Sequence, residues 1–285
     1  MRTLKALVPL ALIAVLTACG GAPSSLFHSA GYYVRGKTVY YLDAFPGDAF
    51  TIKGADAKTF KILDTTYARD KHAVYLDGSP LAEADPATFE LLDQPDYSKD
   101  SGHVFLRDRV LTTDTADFKF LGSGLTEDGA HVYDSGGSVL SDDPAHFKIL
   151  SDADHYLFVE DASTVRVNGN PIKGADPATF GVDRGAYATD AHRAFYFDQT
   201  IPGVNLATLT VLAGPYARDA EHAYWMGKVI PRADPRTFTV LNANFECTAD
   251  STHAYYRDLL IKGFDPGTVP QGATVNNCSE TSLSY

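Results

Sequence analysis

Six of the nine histidines recur at one position of a repeated pattern, two or three residues after an aspartate: Asp70/His72, Asp100/His103, Asp128/His131, Asp190/His192, Asp219/His222 and Asp250/His253. Imidazole beside carboxylate is ligand chemistry for zinc and similar ions, and pairs gathered along one edge could hold a metal. Their spacing matches no zinc signature, however, and His-Glu-x-x-His is absent. A short polar-tipped ring in a turn can instead bond the local backbone, so a turn role is preferred and no metal ligand is assigned. A second set, Glu160, Asp161 and Arg166, falls in the most irregular stretch of the chain. Paired carboxylates there could supply the acid and base of glycoside hydrolysis. No G-x-S-x-G, phosphate-binding loop or dinucleotide fingerprint accompanies them. The reading therefore assigns no catalytic residue and no cofactor, and the chain is expected not to be an enzyme. The aromatic residues, with the single Trp225, could line a sugar-binding groove, but aromatics are far more often core.

These residues recur because the elements that carry them recur. The stretch at residues 67–92, YARDKHAVYLDGSPLAEADPATFELL, is the unit, and most of the chain is a variant of it. One ladder is Asp56, Asp85, Asp114, Asp143, Asp176, Asn205, Asp234 and Asp265. A second lies four residues further on: Phe60, Phe89, Phe118, Phe147, Phe180, Leu209, Phe238 and Val269. The steps are 29, 29, 29, 33, 29, 29 and 31 residues. A period of this size marks one supersecondary unit stacked on the next.

Each position has a local job. In Ala-Asp-Pro-Ala-Thr-Phe at residues 84–89, the aspartate can accept bonds from free N–H groups at a helix start, and proline is pre-set for the first helical position. Asp85-Pro86 is thus expected to open a single helical turn, with Phe89 on its inner side or on that of the strand after it. Asn205, the exception in the ladder, is also a capping residue, which favours capping over charge as the requirement. The first half of the unit reads as a hairpin turning at Lys71-His72; Asp77-Gly78 marks the next turn, and a short strand follows near Leu81. Versions recur at residues 97–106, 125–133, 187–197, 216–225 and 245–256. Paired aromatics such as Phe195-Tyr196, Tyr224-Trp225 and Tyr255-Tyr256 put bulk on both faces of a strand, as suits a unit packed between two neighbours.

The expected fold is all-β: a repeat array of about eight 29-residue units, each a hairpin, an extra strand and a helical turn. A four-stranded propeller blade typically needs about 40 residues or more. An open solenoid is therefore favoured, with a closed propeller-like ring as the alternative.

The unit resembles the DKNYY repeat of bacterial proteins: a tyrosine, an Asp-Lys turn, a tyrosine pair, then Ala-Asp-Pro-x-Thr-Phe. Asp70-Lys71, Val74-Tyr75 and Ala84-Asp85-Pro86-Ala87-Thr88-Phe89 carry the likeness, which covers roughly residues 32–270. The chain departs at the family's turn asparagine, where it usually has histidine. The resemblance implies a repeat protein of undefined biochemical function, often exported, and supplies no catalytic residues.

The two ends differ from the body. Arg2 and Lys5 precede an uncharged apolar run at residues 6–15, then Leu16-Thr17-Ala18-Cys19-Gly20. This resembles a bacterial lipoprotein signal with its cleavage site before the cysteine. Residues 1–18 are read as the signal peptide and residues 19–30 as a lipidated tether, with Cys19 carrying the lipid. Gly20 in place of aspartate resembles outer-membrane sorting in Gram-negative envelopes. Residues 31–271 form the repeat domain, and residues 272–285 a tail that must cover the last exposed edge. The exported compartment permits disulfides, and Cys247 and Cys278 are the candidate pair.

Removing Arg2 and Lys5 takes the formal charge from −12 to −14. With no basic patch interleaved with aromatics, nucleic acid is not an expected partner. Two function classes remain. One is an envelope-anchored binding or scaffold lipoprotein, at the outer membrane and facing the periplasm or the surface, that meets the membrane through its lipid and an envelope protein or polysaccharide through its repeats. The other is an enzyme acting on envelope carbohydrate, with a site in the irregular fifth unit.

Overall fold

The computed structural model describes residues 21–242, 244, 246–270 and 273–285. The leader and Cys19 lie outside the described residues. Among the described residues the fold is all-β: nine small antiparallel sheets, seven of them four-stranded meanders. Helix is confined to two three-residue 3₁₀ turns, Pro144–His146 and Pro266–Thr268. No described helix is long and apolar enough to cross a membrane. Internal contacts divide the chain into two compact units, one ending at Ala116 and one from Asp117 to Tyr285.

One sheet of the first unit shows the pattern: Lys61–Ile62, Tyr67–Arg69, Val74–Leu76 and Ser79–Pro80, paired in chain order. The expected unit of hairpin, further strand and helical turn therefore needs correction, because a fourth strand follows directly on the ladder phenylalanine. Strands of two to four residues let four of them fit within one 29-residue period. A two-residue strand such as Glu90–Leu91 carries no alternation to read. The helical turn is also smaller than expected. Asp56, Asp85, Asp176 and Asp234 each close one turn, their carbonyls accepting from Thr59, Thr88, Thr179 and Thr237 at 3.0–3.3 Å.

Capping occurs at several rungs but not all. The Asp85 carboxylate accepts from the Ala87 N–H at 2.9 Å, and Asp265 from the Gly267 N–H at 2.8 Å. Asp143 makes no such cap; its carboxylate meets His146 Nδ1 at 2.8 Å. The Asn205 side chain makes no cap bond either among the described residues. What Asn205 retains is its own N–H, donated to Asp219 Oδ2 at 2.8 Å. The requirement along this ladder is thus a main-chain donor as much as a side-chain cap.

The core lies between successive sheets of a unit. Phe89, on the connection between two sheets, wedges between Tyr67 of the first and Phe105 of the second, with ring centroids 5.9 and 6.1 Å away. Phe238 repeats this between Tyr216 and Tyr255, again at 5.9 and 6.1 Å. Phe180 sits in the same way between Phe158 and Phe195. Tyrosine hydroxyls then fix the register of one sheet on the next. Tyr32 donates to the Thr66 carbonyl at 2.9 Å and accepts from the Gly78 N–H at 3.0 Å. Tyr187 does the same with Pro215 and Gly227, at 2.9 and 3.2 Å. Gly78 and Gly227 have φ near +75°, and a Cβ on either would lie within 2.8 Å of the preceding sheet's Tyr41 or Tyr196. Only glycine lets the turn come this close.

At the far end, the hairpin Asn277–Cys278 and Leu283–Ser284 packs Val275, Cys278 and Leu283 against Cys247, Ala254 and Ile261 of the last sheet. Cys247 and Cys278 are joined by a disulfide, with Cα atoms 5.8 Å apart.

Candidate functional site

The aspartates of the Asp/His pairs are buried, and each is a junction inside the protein. Asp70 Oδ1 accepts from the His72 and Ala73 N–H groups at 2.7 and 2.9 Å. Its Oδ2 accepts from the Tyr75 hydroxyl at 2.9 Å and from the Asp56 N–H at 2.6 Å. Asp219 has the same four kinds of partner: Glu221, His222, Tyr224 and Asn205. Asp250 repeats the set with Thr252, His253, Tyr255 and Asp234. The two sequence motifs therefore lock together, the turn at the Asp/His pair holding the start of the Ala-Asp-Pro turn. The threonine of that turn adds a second lock, as Thr88 Oγ1 accepts from the Ser101 N–H at 3.1 Å.

Burial alone would push these carboxyls up. The hydrogen bonds outweigh it and hold Asp70, Asp100, Asp161, Asp219 and Asp250 below the usual range. Burial first, and then the bond to the aspartate, raise Tyr75, Tyr224 and Tyr255.

The histidines fall into two sets. His103, His131, His222 and His253 lie 5.7–6.2 Å from the aromatic ring two residues on, with Nδ1 3.2–4.0 Å from their own aspartate. His72 and His192 are exposed and bond the aspartate through the backbone. Among the described residues, no three side chains of metal-ligating type converge.

The irregular fifth unit distributes its three candidates. Asp161 holds the junction role, accepting from the Ser163 and Thr164 N–H groups at 2.9 and 2.8 Å. Its other oxygen accepts from Ser141 Oγ, which in turn accepts from the Asp143 N–H at 3.1 Å, so a serine relays the usual bond. Arg166 stands five residues after Asp161, where other units have tyrosine or phenylalanine. Glu160 is buried with one oxygen bonded to Lys148 Nζ at 3.0 Å. Arg166 pairs across the hairpin with Val159, and Glu160 with Val165, so the two point to opposite faces of the sheet. The geometry sets Glu160 apart from Arg166.

The inserted residues of that unit build something else. They lengthen its first hairpin to Lys148–Ala153 and Tyr156–Glu160, closed by Asp154 and His155, both at positive φ. That is the geometry of a tight two-residue hairpin turn. Asn168 pins the extension, its amide donating to the His155 carbonyl and accepting from the Leu157 N–H at 2.7 Å.

The extension stands beside a groove of about 670 Å³ along one edge of the second unit. Half-buried aromatics line it: Tyr156 from the extension, then Tyr196 and Trp225 from the third strands of the next two sheets. Tyr156 packs on Phe197 with ring centroids 6.1 Å apart. Asp154 and Arg184 face the groove, and neither has an ion pair among the described residues. Arg257 lies further along, bonded to Glu246 at 2.6 Å and stacked 4.9 Å from the Tyr256 ring centroid. Of this lining, the sequence alone points to Trp225 as a groove residue, while Tyr196 stands out only as half of a packing pair. The missed signal was periodic: Tyr196, Trp225 and Tyr256 each stand six residues after a junction aspartate, where the first unit has Leu76 and Leu106.

The comparisons agree with this repeat. The model of the DKNYY family matches twice, over residues 32–165 and 133–259. No curated protein and no solved structure matches the chain. With most of its length covered by these two matches, the chain belongs to the DKNYY family.

Proposed function

We propose that this protein is an envelope-anchored repeat lipoprotein that binds a partner without transforming it. On this reading Cys19 carries the lipid, the protein sits in the cell envelope at the outer membrane, and the repeats are eight units in an open row. The observation that carries the binding role is the groove at Tyr156, Tyr196 and Trp225, of a volume within the roughly 300–1,000 Å³ usual for ligand sites. The carboxylates that recur through the repeats are engaged in backbone bonds, which leaves the rim as the place where chemistry can differ.

Two measurements test the proposal. Fatty-acid labelling of wild type and Cys19→Ser should mark the wild type only; equal labelling removes the anchor. The detergent-solubilised full chain should co-sediment with insoluble envelope material, and Trp225→Ala should abolish this. Sedimentation indifferent to Trp225 rules out the groove. Turnover of envelope carbohydrate that disappears in Glu160→Gln would make the protein an enzyme.

A further inference from the structure

We infer that the ligand of this groove is a neutral oligosaccharide lying extended across the turn ends of successive sheets. The inference rests on the binding role proposed above and adds the chemical class of the ligand.

The floor is aromatic. Tyr196 and Trp225 occupy equivalent positions in adjacent sheets, and Tyr156 enters beside them from the lengthened hairpin. A pyranose ring offers a flat C–H face to such rings, with the polarised C–H bonds against the negative π surface. Stacked sheets lie about 10 Å apart, so one aromatic per sheet calls for a ligand several sugars long.

The walls carry donors and acceptors together. Arg184 and Arg257 supply N–H groups only, whereas Asp154 and Glu246 supply only acceptor oxygens. A sugar hydroxyl both donates and accepts, so it can use both kinds of side chain. Two acidic and two basic groups leave the groove neutral on a chain of net charge −12. That balance suits a neutral glycan; a polyanion would meet the field of the whole molecule without a compensating basic patch. The insertion that breaks the 29-residue period contributes Asp154 and Tyr156, so the departure from the repeat and the groove are one feature.

Trp225 is the only tryptophan, so its fluorescence reports on this groove alone. The full chain, in a detergent without a sugar headgroup, is titrated with cellohexaose, hexa-N-acetylchitohexaose, maltohexaose and hexagalacturonate. At least one neutral hexamer should shift the emission saturably, while hexagalacturonate and free glucose should not. By calorimetry, Trp225→Ala and Tyr156→Ala should each weaken that hexamer by about tenfold or more, and Trp225→Phe by less. Tyr156→Ala lies in the inserted hairpin and serves if Trp225→Ala misfolds, with circular dichroism checking both.

A response to hexagalacturonate alone, or to no hexamer, overturns the inference, as does neutral-hexamer binding that both alanine variants retain. The binding role is judged separately. If envelope sedimentation still depends on Trp225 while neutral hexamers do not compete, the ligand class is wrong and the groove stands. If sedimentation ignores Trp225, the binding role itself fails.

Discussion

In the sheet built by residues 61–80, Asp70 gathers two turn N–H groups, a tyrosine hydroxyl and the N–H of Asp56. In the sheet built by residues 210–229, Asp219 gathers the same four. Arg69 donates to the Pro86 carbonyl and Arg218 to that of Pro235. The tyrosines Tyr67 and Tyr216 reach the carbonyls of Arg107 and Arg257, both at 3.5 Å. The rims diverge: Leu76 and Asp77 stand where the second sheet has Trp225 and Met226. The hollow beside Leu76 is about 290 Å³, against about 670 Å³ beside Trp225. The interior of the unit is thus constrained by hydrogen bonds that only certain residues can make, while the rim is constrained by little beyond backbone shape. Even there the backbone is conserved, since Asp77 and Met226 both have φ near +50°.

The largest effect should come from disarming several junctions at once. The folded pKa values of Asp70, Asp100, Asp161, Asp219 and Asp250 lie below the unfolded value of about 3.9. Their contribution is therefore complete at neutral pH and is lost as pH falls through about 4 and below. Tyr75, Tyr224 and Tyr255 are raised, so theirs is intact below the unfolded value of about 10 and is lost as pH rises above it. Urea midpoints should stay flat between these limits and drop outside them. A steady decline from pH 7 to 5 would show that the junctions are not what acid breaks.

A single junction comes next. Asp70→Ala and Asp219→Ala should each cost about 3–5 kcal/mol, because buried donors lose a charged acceptor. The comparison predicts that the two losses agree within about 1 kcal/mol, since the bonds are alike. Hydrogen exchange on each variant would detect the loss in its own unit. A loss confined to one of the two positions would show that the likeness of their bonds does not extend to energetics.

Reducing the disulfide should be smaller and local. Cys247 and Cys278 close a loop with a sequence separation of 31, which the chain-entropy account makes worth roughly 3–4 kcal/mol at most. The loss belongs to the last sheet and its covering hairpin. Exchange of the amides around Thr248 and Tyr255 should quicken while those around Ala68 and Tyr75 stay unchanged. Equal loosening at both would tie the first unit to the tail.

Much of the repeat was legible from Asp and Phe ladders alone, because a 29-residue period survives substitutions at any one rung. The fourth strand was not, because in most units it is as short as Lys61–Ile62, Glu90–Leu91, Thr210–Val211 and Thr239–Val240, two residues with no alternation. The turn role of the junction aspartates is legible, but their second bond runs to a residue 14–16 positions earlier and leaves no local trace. At the groove, the insertion and Trp225 were visible separately. Their meeting depends on which turns of the neighbouring sheets the hairpin lies beside, which no spacing encodes.

The smallest effect separates the two roles that the first ladder combines. At Asp85 the carboxylate accepts from the Ala87 N–H and from the Thr88 hydroxyl, and the main-chain N–H reaches Asp100 at 2.8 Å. Asn205 has only the last kind of bond, to Asp219. Alanine keeps that N–H and removes the rest. Asp85→Ala should therefore cost about 1 kcal/mol, the usual value of a lost cap, whereas Asn205→Ala should cost less than about 0.5 kcal/mol. Asp85→Asn should fall between the two, because the amide oxygen can still accept from Ala87. Thermal unfolding of the three variants gives the order directly. If Asn205→Ala is as damaging as Asp85→Ala, the side chain of Asn205 does more than its geometry shows. In that case the ladder is a capping ladder throughout, as the sequence alone suggests.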